Sequence, residues 1–138
     1  MDEIKEEKKY AKFVMWCLDE FWRIQKFLNL ENYRVKMERL PNLNYENAYL
    51  EITLSHPYQE SRLKFALKAF EDWQEKQYKD VSQALIHEAL HLLVHPLSTA
   101  GSTRYIAHEQ IKYFTEELVD KLTILMRYDI LKKWEKKK

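Results

Sequence analysis

The feature that most constrains this 138-residue chain is the run DVSQALIHEALHLLVH, from Asp80 to His95. Within it, His87, Glu88 and His91 have the spacing H-E-x-x-H. Side chains four residues apart project from one face of a helix, so the two imidazoles are expected to converge. Converging imidazoles suit zinc, and an adjacent glutamate suits a general base. The run therefore predicts a metal-binding helix over residues 80–95, with Asp80 as its N-cap.

The residues around this motif are almost all apolar, so we expect the helix to be buried. They are Ala84, Leu85, Ile86, Ala89, Leu90, Leu92, Leu93 and Val94. Polar groups inside a buried helix are costly unless they have partners, and a metal ion would supply one. The alternative is that His87 and His91 are core histidines bonded to backbone, with Glu88 at the surface.

Hydrophobic periodicity predicts an α+β fold in one domain, residues 1–138. It begins with a packing helix in residues 1–30, and its sheet lies in residues 33–70. Two strands are predicted over 33–40 and 48–55, whereas 61–73 fits either a strand or a helix. His95-Pro96 should end the metal helix, with a loop over 97–103 and a long helix over 105–134.

The last helix carries an apolar stripe that we expect to pack on the N-terminal helix. The stripe consists of Ile111, Phe114, Leu118, Leu122 and Leu125. Glu116 and Asp120, four residues apart, lie roughly on the opposite side. This arrangement would turn both carboxylates toward the metal helix.

A zinc hydrolase uses three protein ligands and leaves one position open, so a third ligand is needed. We favour Glu116 over its neighbour Glu117, because Asp120 follows Glu116 by four and could hydrogen-bond a zinc-bound histidine. His108 is a rival ligand. His95 shares the face of His91, but one straight helix cannot wrap three ligands around an ion. A solvated polar face that includes Glu116 and Asp120 is the alternative without a metal.

His87-Glu88-Ala89-Leu90-His91, followed about 25 residues later by Glu116-Glu117-Leu118-Val119-Asp120, resembles the gluzincin metallopeptidases. In its small size the chain is similar to the minigluzincins and to short phage-type H-E-x-x-H proteins. The metzincin pattern is not met, because Val94 and Leu97 stand where its glycine and histidine belong. The resemblance covers roughly residues 33–125.

The resemblance implies a zincin-like domain with a three-stranded twisted sheet above a buried metal helix. One edge strand of that sheet would bind the substrate backbone. It implies one Zn²⁺ held by His87, His91 and Glu116, with Glu88 as general base and Asp120 supporting a histidine. A tyrosine or histidine would stabilise the oxyanion, and Tyr105, His108 and Tyr113 are candidates.

The composition and the charge pattern indicate the compartment of the protein and exclude some classes of partner. The formal net charge of +1 carries no nucleic-acid signature, and the single cysteine, Cys17, indicates a reducing compartment. The charged N-terminus lacks the apolar run of a signal peptide, and no stretch has the length of a membrane span. We expect a cytoplasmic protein that binds neither nucleic acid nor membranes. Its oligomeric state is not readable from the sequence.

The hypothesis that follows is a zinc endopeptidase acting on peptides or proteins inside the cell. Two alternatives remain. One is a latent or inactive zincin-fold binding protein, since terminal segments of minigluzincins can block the cleft. The other is a zinc hydrolase with His108 in place of Glu116.

Overall fold

A computed structural model describes residues 2–46, 48–55, 60–102 and 108–134, and within these ranges it contains four α-helices and three β-strands. In chain order they are α1 (Asp2–Phe27), β1 (Arg34–Met37), β2 (Leu50–Ser55), β3 (Glu60–Phe65), α2 (Leu67–Gln74), α3 (Tyr78–Ser102) and α4 (His108–Leu131). A short 3₁₀ turn, Lys132–Trp134, follows α4. The α+β class predicted from the sequence is confirmed.

The sheet is mixed, with β3 between its two partners in the order β1-β3-β2. β1 runs parallel to β3, and β2 runs antiparallel to it. Ser61, Leu63 and Phe65 alternate with more exposed residues along β3, which gives the sheet one buried face. The ambiguous segment 61–73 thus contains both a strand and a helix, and the prediction that the sheet extends to residue 70 is wrong.

The core lies between the sheet, α1 and α3. On α1, Phe13, Cys17, Phe21 and Ile24 are fully buried at helical spacing. The Phe13 and Phe65 rings meet edge to face with centroids 4.9 Å apart, which joins α1 to the central strand. Burial of α3 over residues 85–92 confirms that the helix carrying H-E-x-x-H is largely enclosed.

The predicted limits of the metal helix are wrong at both ends. α3 starts at Tyr78, so Asp80 lies in the first turn of the helix and not at its N-cap. There the Asp80 carboxylate interacts favourably with the positive N-terminal end of the helix dipole. The helix also continues through Pro96 and Gly101 to Ser102, where a loop was expected. A proline removes one backbone donor, and the remaining helical bonds tolerate that loss here.

The predicted packing of the last helix is also wrong. Three residues of the apolar stripe are exposed: Phe114 (60%), Leu125 (74%) and Leu118 (38%). Among the described side chains of the stripe, only Leu122 packs against the core. The Ile111 side chain lies outside the described residues. α4 instead packs against α3. Its buried residues are Val119, Thr123, Ile130 and Leu131. In the described part of the chain, no helix has the length and apolarity needed to cross a membrane.

A buried carboxylate ties three helical segments together. Glu20 of α1 is 3% exposed and accepts hydrogen bonds from Arg23 Nε at 2.6 Å, from Ser82 Oγ of α3 at 2.7 Å, and from the Trp134 indole. Arg23 Nη2 also donates to the Ile130 carbonyl oxygen at 3.0 Å. Burial alone would raise the pKa of Glu20, but these hydrogen bonds outweigh it and lower the pKa. Charged Glu20 therefore stabilises the fold.

Glu20→Gln should lower the free energy of unfolding at pH 7 by about 2 kcal/mol, because it removes a buried charge that three donors require. Since the folded-state pKa lies below the ordinary value, the contribution is present at neutral pH and lost as the pH falls through that pKa. Urea unfolding at several pH values would measure this difference. Asp19→Asn, at an exposed position of α1, is the matched control and should have little effect.

Candidate metal centre

Two imidazoles of α3 and one carboxylate of α4 converge on a small volume. The Nε2 atoms of His87 and His91 lie 3.2 Å apart. Glu116 Oε1 lies 2.9 Å from His91 Nε2, and Glu116 Oε2 lies 3.5 Å from His87 Nε2. One ligand atom from each residue can be chosen so that all lie within 4.8 Å of one another. Tetrahedral zinc with ligands at about 2 Å requires separations of roughly 3.3 Å, so the donor set fits this ion.

Asp120 contacts the outer nitrogen of the first histidine. His87 Nδ1 lies 3.2 Å from Asp120 Oδ1, on the ring edge opposite the Nε2 that faces Glu116. A hydrogen bond from Nδ1–H to this carboxylate would leave the Nε2 lone pair available to a metal. The pairs His91–Glu116 and His87–Asp120 also show that α3 and α4 run antiparallel here. The face of α4 that Glu116 and Asp120 share therefore contacts α3, as predicted.

Glu88 lies beside this cluster and is bonded to the sheet. It is 8% exposed, and its Oε2 accepts a hydrogen bond from the Ile52 backbone N–H of β2 at 2.9 Å. Burial raises the pKa of Glu88 to about 8. The hydrogen bond from the Ile52 N–H opposes this rise, whereas the negative charges of Glu116 and Glu51 add to it. Burial likewise lowers the pKa of His91, against the opposing effect of Glu116. The site thus favours a neutral imidazole and a carboxyl group poised near neutral pH.

The cluster opens into a cleft of about 1160 Å³ between β2, α3 and α4. β2 forms the wall beside Glu88. The Ala66 N–H donates to the Tyr49 carbonyl oxygen, so Tyr49 and Ala66 form a hydrogen-bonded pair. Hydrogen-bonded and non-hydrogen-bonded pairs alternate along an antiparallel ladder. The backbone N–H and C=O groups of Leu50, Ile52 and Leu54 therefore point away from β3. The hydrogen bond from Ile52 to Glu88 agrees with that direction. β2 therefore presents an open strand edge to the cleft.

The remaining ligand candidates are placed differently. Glu117 forms an ion pair with Lys121 at 3.0 Å and is not in the cluster. His95 lines the same cleft without joining the three-residue group. The side chain of His108 lies outside the described residues, as does Tyr105. Tyr113 is 67% exposed and stands edge to face with Phe114, so it is not placed to stabilise an oxyanion.

The sequence does not predict two features of the site. The Ile52 backbone N–H carries no side-chain signal, so only the pairing of β2 with β3 reveals it. Arg127, with Lys112, lines the cleft wall on α4. Arg127 follows Glu116 by eleven residues, which is three helical turns, and that spacing could have placed it on the same face.

No protein-family profile, curated protein or solved structure matches this chain.

The chain should bind about one zinc ion, and Glu116→Gln should weaken binding by about 100-fold or more, since it replaces an anionic ligand with a neutral one. Isothermal titration with metal analysis of the purified protein would measure both. Glu117→Gln, at the neighbouring position, is the matched control and should leave affinity unchanged. Equal zinc content in the parent chain and a His87→Ala/His91→Ala variant would contradict the assignment.

Asp120→Asn should weaken zinc binding by roughly 10- to 100-fold, because it removes the charge that supports the His87 ring. Asp129→Asn, at an exposed position further along α4, is the control. Identical affinities of the two variants would show that Asp120 does not support the metal ligand.

Proposed function

We propose that this protein is a zinc-dependent peptidase with a zincin-like arrangement of the gluzincin type. The observation that carries the proposal is the convergence of His87, His91 and Glu116, with buried Glu88 alongside, in a cleft bordered by a strand edge. Any one of these features occurs in proteins without catalytic function. Their combination supplies a metal site, a proton-transfer group and a backbone-binding surface in one cleft.

Two imidazoles and one carboxylate are a ligand set of catalytic Zn²⁺ in hydrolases, and three protein ligands leave a position open for chemistry. When bound, zinc would supply a nucleophile at neutral pH and polarise a carbonyl group. His87, His91 and Glu116 would hold the ion. Asp120 would fix the orientation of the His87 ring.

Glu88 is the proposed proton carrier. Its Oε2 is held by Ile52, which leaves Oε1 to accept a proton and to deliver it to a leaving amine. The raised pKa of Glu88 is suited to both steps near neutral pH, and a neighbouring dication would lower it. The anchoring bond also limits the orientations that the carboxylate can adopt.

The open edge of β2 is the proposed binding surface for substrate backbone. An extended peptide beside Leu50–Leu54 would add a strand to the sheet, and its carbonyl groups would pass the metal cluster. This mode recognises backbone more than side chains, so unfolded proteins and flexible peptides are the expected substrates. The cytoplasmic location expected from the sequence stays a prediction.

Glu88→Gln should retain zinc and lose about 100- to 10,000-fold in the rate of cleavage of an unfolded protein such as casein, because the amide cannot carry the proton. Glu71→Gln, which changes an exposed carboxylate of α2 away from the cleft, is the matched control and should stay active. Metal content is measured in parallel.

A zinc-loaded parent chain that cleaves nothing, in full length or trimmed after Trp134, would contradict the peptidase proposal. The same cleft would then be assigned to binding alone.

A further inference from the structure

The side of α4 that faces away from the protein is apolar. Five large side chains on this side, which we call the outer face, are between 38% and 74% exposed. They are Tyr113, Phe114, Leu118, Leu125 and Tyr128. Phe114, Leu118, Leu125 and Tyr128, together with Lys121, follow spacings of four, three, four and three. That spacing is the heptad pattern of a helix that packs along a second helix.

The apolar area of the outer face is close to what a small dimer interface requires. Five side chains of about 200 Å² each, at these exposures, leave roughly 600 Å² uncovered. The largest exposed apolar patch of a soluble monomer is typically about 300 to 600 Å², whereas a standard interface buries about 800 Å² on each partner. The outer face is therefore at the upper limit for a solvated surface and supplies most of the area that such an interface buries.

We propose that the outer face packs against the same face of a second copy of this chain, with the two α4 helices antiparallel. A two-fold contact brings one surface against itself, so the surface must be self-complementary. The apolar residues lie on both sides of an ion pair, Glu117 with Lys121, near the middle of the face. In the antiparallel arrangement, each Lys121 lies near Glu117 of the partner subunit.

The charges distinguish this arrangement from a parallel one. With the two-fold axis between residues 119 and 120, Phe114 faces Leu125 of the partner subunit, and Leu118 faces Lys121 of the partner subunit. A parallel pair would instead place two Lys121 ammonium groups in one layer, where like charges repel. The contact leaves His87, His91, Glu116 and Asp120 outside the seam, because they lie on the cleft side of the helices.

Sedimentation velocity of the full chain over a range of concentrations tests the proposal. A dimer is expected, with a dissociation constant between about 1 and 100 µM. Phe114→Glu and Leu125→Glu should each raise that constant by at least about 30-fold, since each places a charge in the apolar seam. Phe27→Glu, at an exposed apolar position of α1, is the matched control and should leave the dimer intact. Circular dichroism verifies that each variant is folded.

A charge exchange tests the antiparallel direction. Glu117→Lys gives two lysines at this point of the seam, and Lys121→Glu gives two glutamates, so each variant alone should be mainly monomeric. Mixing the two should restore dimers, because each lysine then meets a glutamate across the interface. A repaired ion pair within one helix cannot produce this result, since each chain keeps its own like charges.

A chain that is monomeric up to about 500 µM overturns the proposal. Dimers that survive Phe114→Glu and Leu125→Glu also overturn it, because the contact must then lie elsewhere. A monomer that sediments with phosphatidylcholine vesicles through the same residues would assign the outer face to a lipid surface and overturn it as well.

Discussion

The candidate site depends on α4 lying antiparallel against α3, because this packing brings the Glu116 carboxylate to within 2.9 Å of His91 Nε2. Few apolar side chains maintain the contact, since most of α4 is exposed. The hydrogen bonds of Glu20 hold its far end, through Arg23 to the Ile130 carbonyl and through the Trp134 indole. Glu116 and Trp134 are separated by roughly 27 Å of helix, so one continuous helical segment connects the anchored end to the group formed by His87, His91 and Glu116.

Two glutamates within one cleft have different environments, and this difference separates their proposed roles. Glu88 is enclosed between α3 and β2 and has a raised pKa, whereas Glu116 is half-exposed and faces two imidazoles. A buried carboxyl group that resists ionisation is suited to moving a proton. An accessible carboxylate beside nitrogen ligands is suited to holding a cation. The fold sets both environments, chiefly through burial, without any difference in side-chain chemistry.

Local geometry was readable from the sequence, and long-range packing was not. H-E-x-x-H places His87 and His91 on one face wherever the helix lies, and E-x-x-x-D does the same for Glu116 and Asp120. The helix end predicted at Pro96 is wrong, because a proline removes one backbone donor and α3 nevertheless continues to Ser102. The stripe through Phe114 and Leu125 was assigned to the core because hydrophobicity marks surfaces that need covering, without saying what covers them. The bond from Ile52 to Glu88 involves backbone, which composition and spacing do not report.

The position of β3 between β1 and β2 has a consequence for the order in which the protein can assemble. β1 and β2 make their ladder bonds to β3 and not to each other, and β3 follows both in the chain. A growing polypeptide therefore carries two strands without a template until Glu60–Phe65 leaves the ribosome. β2 and β3 are close together in the chain, so their antiparallel pairing should form first. β1 and β3 are farther apart in the chain, so their parallel pairing should form later. A pause in translation before residue 60 would leave both strands open to pairing with neighbouring chains.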